Sequence, residues 1–195
     1  MTSKPSSDPD GALRVAALIL AGGRATRMGG VDKGSLVVDG ATIFERQCAV
    51  LADRVAEIIV STPAAVPGFR SVADAVPGQG PLAGIAAGLA AATTPWLLVL
   101  AGDMPYLTGE LIDRLLAAVT PDVDAVGVRV QGLPEPLVCV LRVAAAAPSV
   151  TRRLAAGRLK ASALLADGEL KVAWIEDPEL RALYNVNAPE DLDRR

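Results

Sequence analysis

Three continuous apolar runs of strand length limit what this chain can fold into. They are "RVAALIL" (Arg14–Leu20), "AEIIVS" (Ala56–Ser61) and "PWLLVLAGD" (Pro95–Asp103). Runs without polar alternation are typical of parallel strands that are covered on both faces. Weaker strand patterns lie at residues 35–40, 69–74, 124–130, 135–142 and 170–176. Because helical patterns separate these strands, the sequence predicts a layered α/β fold with a mostly parallel sheet.

Helix start and stop signals support this alternation. Thr42 and Glu45 form a capping box, and Thr108 suits the N-cap of a later helix. Pro81 suits the first position of a helix that is rich in small residues. The segment "VAAAAPSVTRRLAAG" is predicted to be helical but broken at Pro148. On the helix that starts at Thr42, one face is expected to carry the apolar residues Ile43, Phe44, Cys48 and Leu51.

Length and composition favour one domain. The chain has 195 residues and is about half apolar, so it can bury a sizeable core. Residues 1–12 are polar and rich in Pro and Ser, and we expect a disordered tail before a single domain at 13–195. No apolar run approaches the roughly 20 residues of a membrane helix, and the tail lacks the apolar middle of a secretion signal. We therefore expect a cytoplasmic protein with no membrane partner.

The residue types that are missing exclude several chemistries. The chain has no histidine, which rules out Ser-His-Asp triads, His-activated cysteines and His-ligated metals. Its two cysteines, Cys48 and Cys139, lie in apolar stretches and are expected to be small buried hydrophobes. The net charge of −3 argues against a nucleic-acid partner.

A positive glycine segment, "LILAGGRATRMGGVDKG" (Leu18–Gly34), follows the first apolar run. Ligands of open α/β sheets bind beyond the carboxyl ends of the strands, and glycines let backbone N–H groups approach a ligand. The segment fits neither the P-loop pattern nor G-x-G-x-x-G. A surface loop with incidental charge is the alternative. Arg24, Arg27 and Lys33, close together at a strand end, favour polyphosphate binding instead.

The segment "LILAGGRATRMGGVDKGSL" also closely resembles the signature of molybdenum cofactor guanylyltransferases, the MobA-like nucleotidyltransferases. Further blocks match the family in order: "VADAVPGQGPLAGI", "LVLAGDMPYL", "EPLVCVLR" and "YNVNAPEDL". The resemblance implies a Rossmann-like three-layer sandwich with a mostly parallel sheet. It also implies transfer of GMP from GTP to molybdenum-loaded molybdopterin.

The resemblance assigns roles in nucleotide binding to several positions. The family's nucleotide-holding backbone matches Leu20, Ala21, Gly22 and Gly23. Lys33 matches the lysine that contacts the phosphates, and Arg27 is expected on the triphosphate.

Acidic and amide residues complete the implied site. Asp103 ends a buried strand and is expected to hold Mg²⁺, although an aspartate before Pro105 also suits a turn. Asp74 matches an aspartate that binds GTP, through either the guanine or the ribose, but it also suits a turn start. In "NVN", Asn187 is a candidate second metal ligand beside Asn185, and it equally suits a helix cap.

Two stretches depart from the family pattern. Where some members carry an asparagine after the second strand, this chain has "VSTPAA", so Ser61 or Thr62 is expected to replace the contact with the base, or the contact is missing. The stretch "VQGLPEP" lacks the His-Pro of bacterial forms, which weakens the assignment of the acceptor site.

The implied partners are small molecules, with transient contacts to cofactor-biosynthesis proteins or molybdoenzymes as a further expectation. A cytidylyltransferase acting on the same pterin is the nearest alternative, but "LAGG" and "GPLAGI" favour guanine. Sugar-1-phosphate nucleotidyltransferases share a related first motif and are usually longer. A non-catalytic nucleotide-binding module is the alternative from another class, and the presence of Lys33 and Asp103 argues against it.

Overall fold

The main feature of the computed structural model is a seven-stranded sheet between two layers of helices. The structure describes residues 13–21, 33–76 and 78–186, and for Lys33 only the backbone. The predicted tail at 1–12 lies outside the described residues. So do five residues that the sequence assigns to the site: Gly22, Gly23, Arg24, Arg27 and Asn187. The single domain at 13–195 stays a prediction.

The strands and helices follow in this order. The strands are β1 (Val15–Leu20), β2 (Val37–Val38), β3 (Ala41–Thr42), β4 (Glu57–Ser61), β5 (Arg70–Val72), β6 (Trp96–Ala101), β7 (Ala125–Val130), β8 (Leu133–Arg142) and β9 (Val172–Glu176). The α-helices are α1 (Ile43–Leu51), α2 (Pro81–Ala91), α3 (Gly109–Ala117), α4 (Val143–Ala155) and α5 (Ser162–Ala166). Short 3-10 helices lie at Lys33–Ser35 and Leu180–Leu183.

The sheet has the order β5-β4-β1-β6-β8-β7-β9. Its first four strands are all parallel, whereas β8 runs antiparallel to both of its neighbours and β9 pairs parallel with β7. The small sheet of β2 and β3 lies apart from it. The mostly parallel sheet of the predicted α/β fold is confirmed.

The two faces of the sheet carry separate apolar clusters. On one face, side chains of α1 and α3 pack on the sheet, among them Leu51, Leu111 and Leu115. On the other face, side chains of α2, α4 and α5 do so, among them Leu82, Val150 and Leu164. These layers make the three-layer sandwich that was expected.

The helix starts agree closely with the sequence signals. The capping box of Thr42 and Glu45 forms at the start of α1, Thr108 accepts a hydrogen bond from the N–H of Leu111, and Pro81 opens α2. Within α1, however, the fully buried residues are Ile43, Gln47 and Leu51, while Phe44 and Cys48 are only partly buried. The predicted apolar face of α1 was therefore only partly correct.

The predicted break at Pro148 is wrong, because α4 continues through it from Val143 to Ala155. Proline has no N–H to donate to the carbonyl four residues earlier, which is that of Ala144. Both Pro148 and Ala144 are exposed, so water can satisfy that carbonyl. Within the described part of the chain, no helix combines the length and the apolar character needed to cross a membrane.

Candidate active site

Three parallel strands end together and form one rim of the sheet. Leu20, the last residue of β1, pairs with Ser61 of β4 and with Ala101 of β6. Beyond them, the N–H of Ala21 donates to the carbonyl of Ser61 at 3.1 Å, and the N–H of Gly102 donates to the carbonyl of Leu20 at 3.1 Å. These bonds extend the parallel ladder into the loops, where α/β proteins bind their ligands.

A cavity of about 220 Å³ opens at this rim. Ala21, Gly34, Ser35, Thr62 and Gly102 line it together with apolar side chains. Gly34 directly follows Lys33, and Gly102 directly precedes Asp103, so the backbones of these two predicted site residues adjoin one cavity. The backbones at positions 33 and 103 therefore lie on the same side of the molecule.

Gly102 lets the end of β6 lie against the end of β1. A Cβ added to Gly102 would lie 2.8 Å from the carbonyl oxygen of Leu20 and 3.3 Å from the Cα of Ala21. Both of these are backbone atoms, which cannot move aside as a flexible side chain can. The residue before Asp103 therefore has to be glycine for the rim to close in this way.

Asp103 lies on the loop after β6 and is partly exposed. Its carbonyl accepts a hydrogen bond from the N–H of Val186 at 2.8 Å, which brings Val186, the middle residue of "NVN", beside it. The Oδ1 atom of Asn185 is buried and has no hydrogen-bond partner among the described residues. A buried amide oxygen without a donor is an available ligand position.

Glu135 is a further candidate residue near Asp103 that the sequence reasoning missed. Burial raises the pKa of the Glu135 carboxyl, the N–H of Leu137 donates to it and lowers the pKa, and the Asp103 carboxylate raises it again. Antiparallel pairing of β6 with β8, with Leu100 opposite Val138, brings the start of β8 towards the Asp103 loop. A signal was present in the sequence, since Glu135 is an acidic residue just before the apolar run "LVCVL" at 137–141.

Asp74 follows β5, on the loop that leads to α2, and is partly exposed. Burial raises the pKa of its carboxyl, and a hydrogen bond from Ser61 lowers it. Ser61 itself is only 3% exposed, and a Cβ added to Gly84 of α2 would lie 2.7 Å from its Oγ atom. Gly84 thus leaves room for the hydroxyl that binds Asp74.

Ser61 and Thr62, the two candidates for the contact with the base, face different ways. Successive residues of a strand point to opposite faces of the sheet. Ser61 packs against α2, whereas Thr62 lines the cavity together with Phe44 of α1. Of the two, Thr62 is the residue that a ligand in the cavity can contact.

Solved structures share this architecture. A protein from Archaeoglobus fulgidus described as molybdopterin-guanine dinucleotide biosynthesis protein A has a TM-score of 0.74 at 24% identity, over 92% of this chain and 95% of that one. A 2-C-methyl-D-erythritol 4-phosphate cytidylyltransferase from Thermus thermophilus has a TM-score of 0.71 at 23% identity, over 93% and 97% of the two chains. The fold is that of the α/β nucleotidyltransferases.

The sequence comparisons define the family within that class. The family model for the MobA-like NTP transferase domain matches residues 17–172. A molybdenum cofactor guanylyltransferase from Burkholderia lata is 36% identical over 197 residues, covering 91% of this chain and 93% of that protein. The chain belongs to the MobA-like NTP transferase domain family, and the resemblance inferred from its motifs is confirmed.

Proposed function

We propose that this chain transfers GMP from GTP to the terminal phosphate of molybdenum-loaded molybdopterin and releases pyrophosphate. The relative from Burkholderia lata, which covers nearly the whole chain, is named for this activity. The single observation that carries the proposal is the rim, where residues adjoining Lys33 and Asp103 line one cavity beyond three parallel strands.

The reaction needs positioning and charge compensation more than proton transfer. An oxygen of the acceptor phosphate attacks the α-phosphorus of GTP, and the bond from that phosphorus to the bridging oxygen breaks as pyrophosphate leaves. The attacking oxygen is already anionic and needs no general base, which suits a chain without histidine. Lys33 and Arg27 are proposed to compensate the charge of the two substrates as they meet.

The donor set around Asp103 suits Mg²⁺. This cation is usually held by one or two carboxylates together with substrate phosphates and waters. Among the described residues, no group of three or more acidic or cysteine side chains could hold a metal alone. The buried and unpartnered Oδ1 of Asn185 adds an oxygen donor next to the Asp103 loop. We propose that Asp103 and Asn185 hold Mg²⁺, which supplies Lewis-acid stabilisation of phosphate charge, and Asn187 stays a predicted ligand.

Nucleotide recognition is proposed for the cavity and for Asp74. Leu20 and Ala21, with Gly22 and Gly23, would present backbone groups to the nucleotide, and Thr62 would contact the base. The Asp74 carboxylate can accept hydrogen bonds from N1–H and the amino group of guanine, or from ribose hydroxyls.

A direct assay tests the function. The protein is incubated with Mg²⁺, GTP and molybdenum-loaded molybdopterin, and the guanine dinucleotide product and pyrophosphate are quantified together. We expect both products in equal amounts, with no turnover when Mg²⁺ is removed by a chelator. Nucleotide binding without pyrophosphate release would instead support the non-catalytic alternative.

A cytidylyltransferase is the second candidate, because a solved cytidylyltransferase shares the fold and because "VSTPAA" departs from the family pattern near the base. Parallel assays with GTP, CTP and UTP at equal concentration separate the two. A higher kcat/KM for CTP than for GTP would overturn the proposed guanine specificity.

A further inference from the structure

Helix α1 holds the loop that carries Asp103. Two neighbouring side chains of α1, Arg46 and Gln47, donate hydrogen bonds to backbone carbonyls of this loop. The Nε2 atom of Gln47 donates to the carbonyls of Ala101, at 2.7 Å, and of Met104, at 3.4 Å. These two carbonyls flank Asp103 on both sides, so a single amide spans the turn.

Arg46 extends the same attachment. Its Nε atom donates to the carbonyl of Pro105 at 2.9 Å, and its Nη1 atom donates to the carbonyl of Val38 at 3.2 Å. Together with Gln47, it binds three of the loop's carbonyls from one helix. The carbonyl of Leu20 and the N–H of Val186 also form hydrogen bonds with this loop. The loop around Asp103 is therefore bonded to α1, to β1 and to Val186.

Gln47 occupies a position where an apolar residue would otherwise be expected. It lies between Ile43 and Leu51 on the buried stripe of α1, and it is 0% exposed. Its Oε1 atom is buried without a hydrogen-bond partner among the described residues. An amide that is only half satisfied costs free energy in the interior, and a side chain such as Met would fill similar space without that cost. The two hydrogen bonds from the Gln47 amide to the Ala101 and Met104 carbonyls offset this cost.

The same helix also forms part of the cavity wall. Thr42, the N-cap of α1, and Phe44 in its first turn line the cavity beside Gly102. One rigid element therefore contacts both the proposed nucleotide cavity and, one turn later, the Asp103 loop. A catalytic group that acts by position has to be held to within a fraction of an ångström.

We infer that Gln47 is a positioning residue for Asp103, with Arg46 in a supporting role, and that α1 fixes the loop relative to the nucleotide cavity. The inference rests on the proposed function, because it assumes that Asp103 holds the cation. Neither Arg46 nor Gln47 needs to touch a substrate for this role. Displacement of the loop would lower the rate of the chemical step and weaken the cation site, while GTP binding in the cavity would continue.

The test uses Gln47→Met, which preserves side-chain length but has no donor. We expect kcat to fall about 10-fold to 100-fold, the range that a small misplacement costs. The KM for GTP is expected to stay within about twofold, and half-maximal activity should need more Mg²⁺. The control is Arg54→Gln just after α1, which loses hydrogen bonds to Asp113 and to the Val50 carbonyl but does not reach the loop.

Two further variants keep the outcomes separate. Arg46→Met, at a half-buried position, serves if Gln47→Met does not fold, and it should show a smaller loss of kcat in the same pattern. Unchanged kcat and Mg²⁺ requirement in either folded variant would overturn the inference, as would a raised KM for GTP alone. Asp103→Asn is assayed in parallel, because retained activity in that variant contradicts the cation role of Asp103. Absence of GMP transfer in the wild type would instead contradict the proposed function, whatever Gln47→Met shows.

Discussion

The two halves of the sheet differ in the kind of contact that their residues make. The first half, β5-β4-β1-β6, brings backbones close together, with Gly84 and Gly102 at positions where a Cβ would collide with neighbouring atoms. The second half, β8-β7-β9, instead carries long charged side chains that pair with each other. Arg129, for example, lies 3.4 Å from Glu176 and 3.9 Å from the ring centre of Trp174.

We infer that the first half of the sheet serves ligand binding and that the second half serves stability. Close backbone approach leaves a cavity and the buried oxygen of Asn185 available at the rim of the first half. In the second half, arginine side chains instead form ion pairs with Glu176 and Glu169. Substitutions in the first half should therefore change activity. Comparable substitutions in the second half, apart from Glu135 beside the Asp103 loop, should change stability alone.

The largest effect is expected from Asp103→Ala. Loss of the proposed cation anchor should lower kcat about 10³-fold, the upper range for removing one group that stabilises transition-state charge. The fold should be retained, because Asp103 is partly exposed and its loop is held through the backbone carbonyls that Gln47, Arg46 and Val186 bind. The assay is turnover with saturating GTP and Mg²⁺, with circular dichroism to check folding. Near-normal turnover would contradict the assignment.

A pair of glycine substitutions tests the comparison directly. Gly102→Ala would place a Cβ 2.8 Å from the Leu20 carbonyl oxygen, and Gly127→Ala would place one 2.7 Å from the Trp174 ring. Each should cost about 1–3 kcal/mol of unfolding free energy, as overpacking does. Only Gly102→Ala should also lower kcat, by about 10-fold or more, because the Asp103 loop moves.

Chemical unfolding and turnover are measured on both variants. Comparable losses of kcat in Gly102→Ala and Gly127→Ala, at a temperature where both are folded, would show that the second half also shapes the site. That result would remove the distinction between the two halves.

How far the sequence predicted this structure depends on the kind of signal. The strands and the capping box at Thr42 follow from local sequence patterns, and the structure agrees with both. Pro148 was misread because local propensity does not tell whether the freed carbonyl faces water. Gln47 was missed because its partners lie more than fifty residues away in sequence and are backbone atoms. Glu135 was missed because its neighbour Asp103 comes close only when β8 pairs with β6.

Ser61→Ala is expected to have a smaller effect, on the pH dependence of GTP binding. The Ser61 hydroxyl lowers the pKa of Asp74, while burial raises it. Without the hydroxyl, the pKa of Asp74 should rise further, so the carboxylate is protonated at higher pH and loses its ability to accept hydrogen bonds from GTP. The acidic limb of the affinity profile should therefore move to higher pH, with a several-fold weaker affinity at mildly acidic pH.

Isothermal titration of GTP across the acidic range measures this shift. Asp74→Asn is the reference variant, since it should abolish the limb altogether. An affinity profile for Ser61→Ala that overlays on the wild type would show that Ser61 only packs against Gly84. An unchanged profile for Asp74→Asn would remove Asp74 from the nucleotide site.

The smallest effect is expected from Glu169→Gln in the second half. Glu169 accepts hydrogen bonds from Ser149 and from Arg152, Arg153 and Arg158, and Arg153 is only 1% exposed. The pKa of Glu169 is lowered first by the Ser149 hydroxyl, with the neighbouring arginines adding to the effect. A carboxyl with a lowered pKa in the folded state stabilises the fold above its ordinary pKa, about 4.3, and this contribution disappears as the pH falls through the lowered value.

The variant should thus have a lower Tm than the wild type at neutral pH and the same Tm in strong acid, with kcat unchanged. Asp122→Asn, which removes an exposed charge from the same half, should leave Tm nearly constant at every pH. If Glu169→Gln lowered kcat at a temperature where it is fully folded, the ion-paired cluster around Arg153 would contribute to the site. Charge pairing in the second half would then serve activity as well as stability.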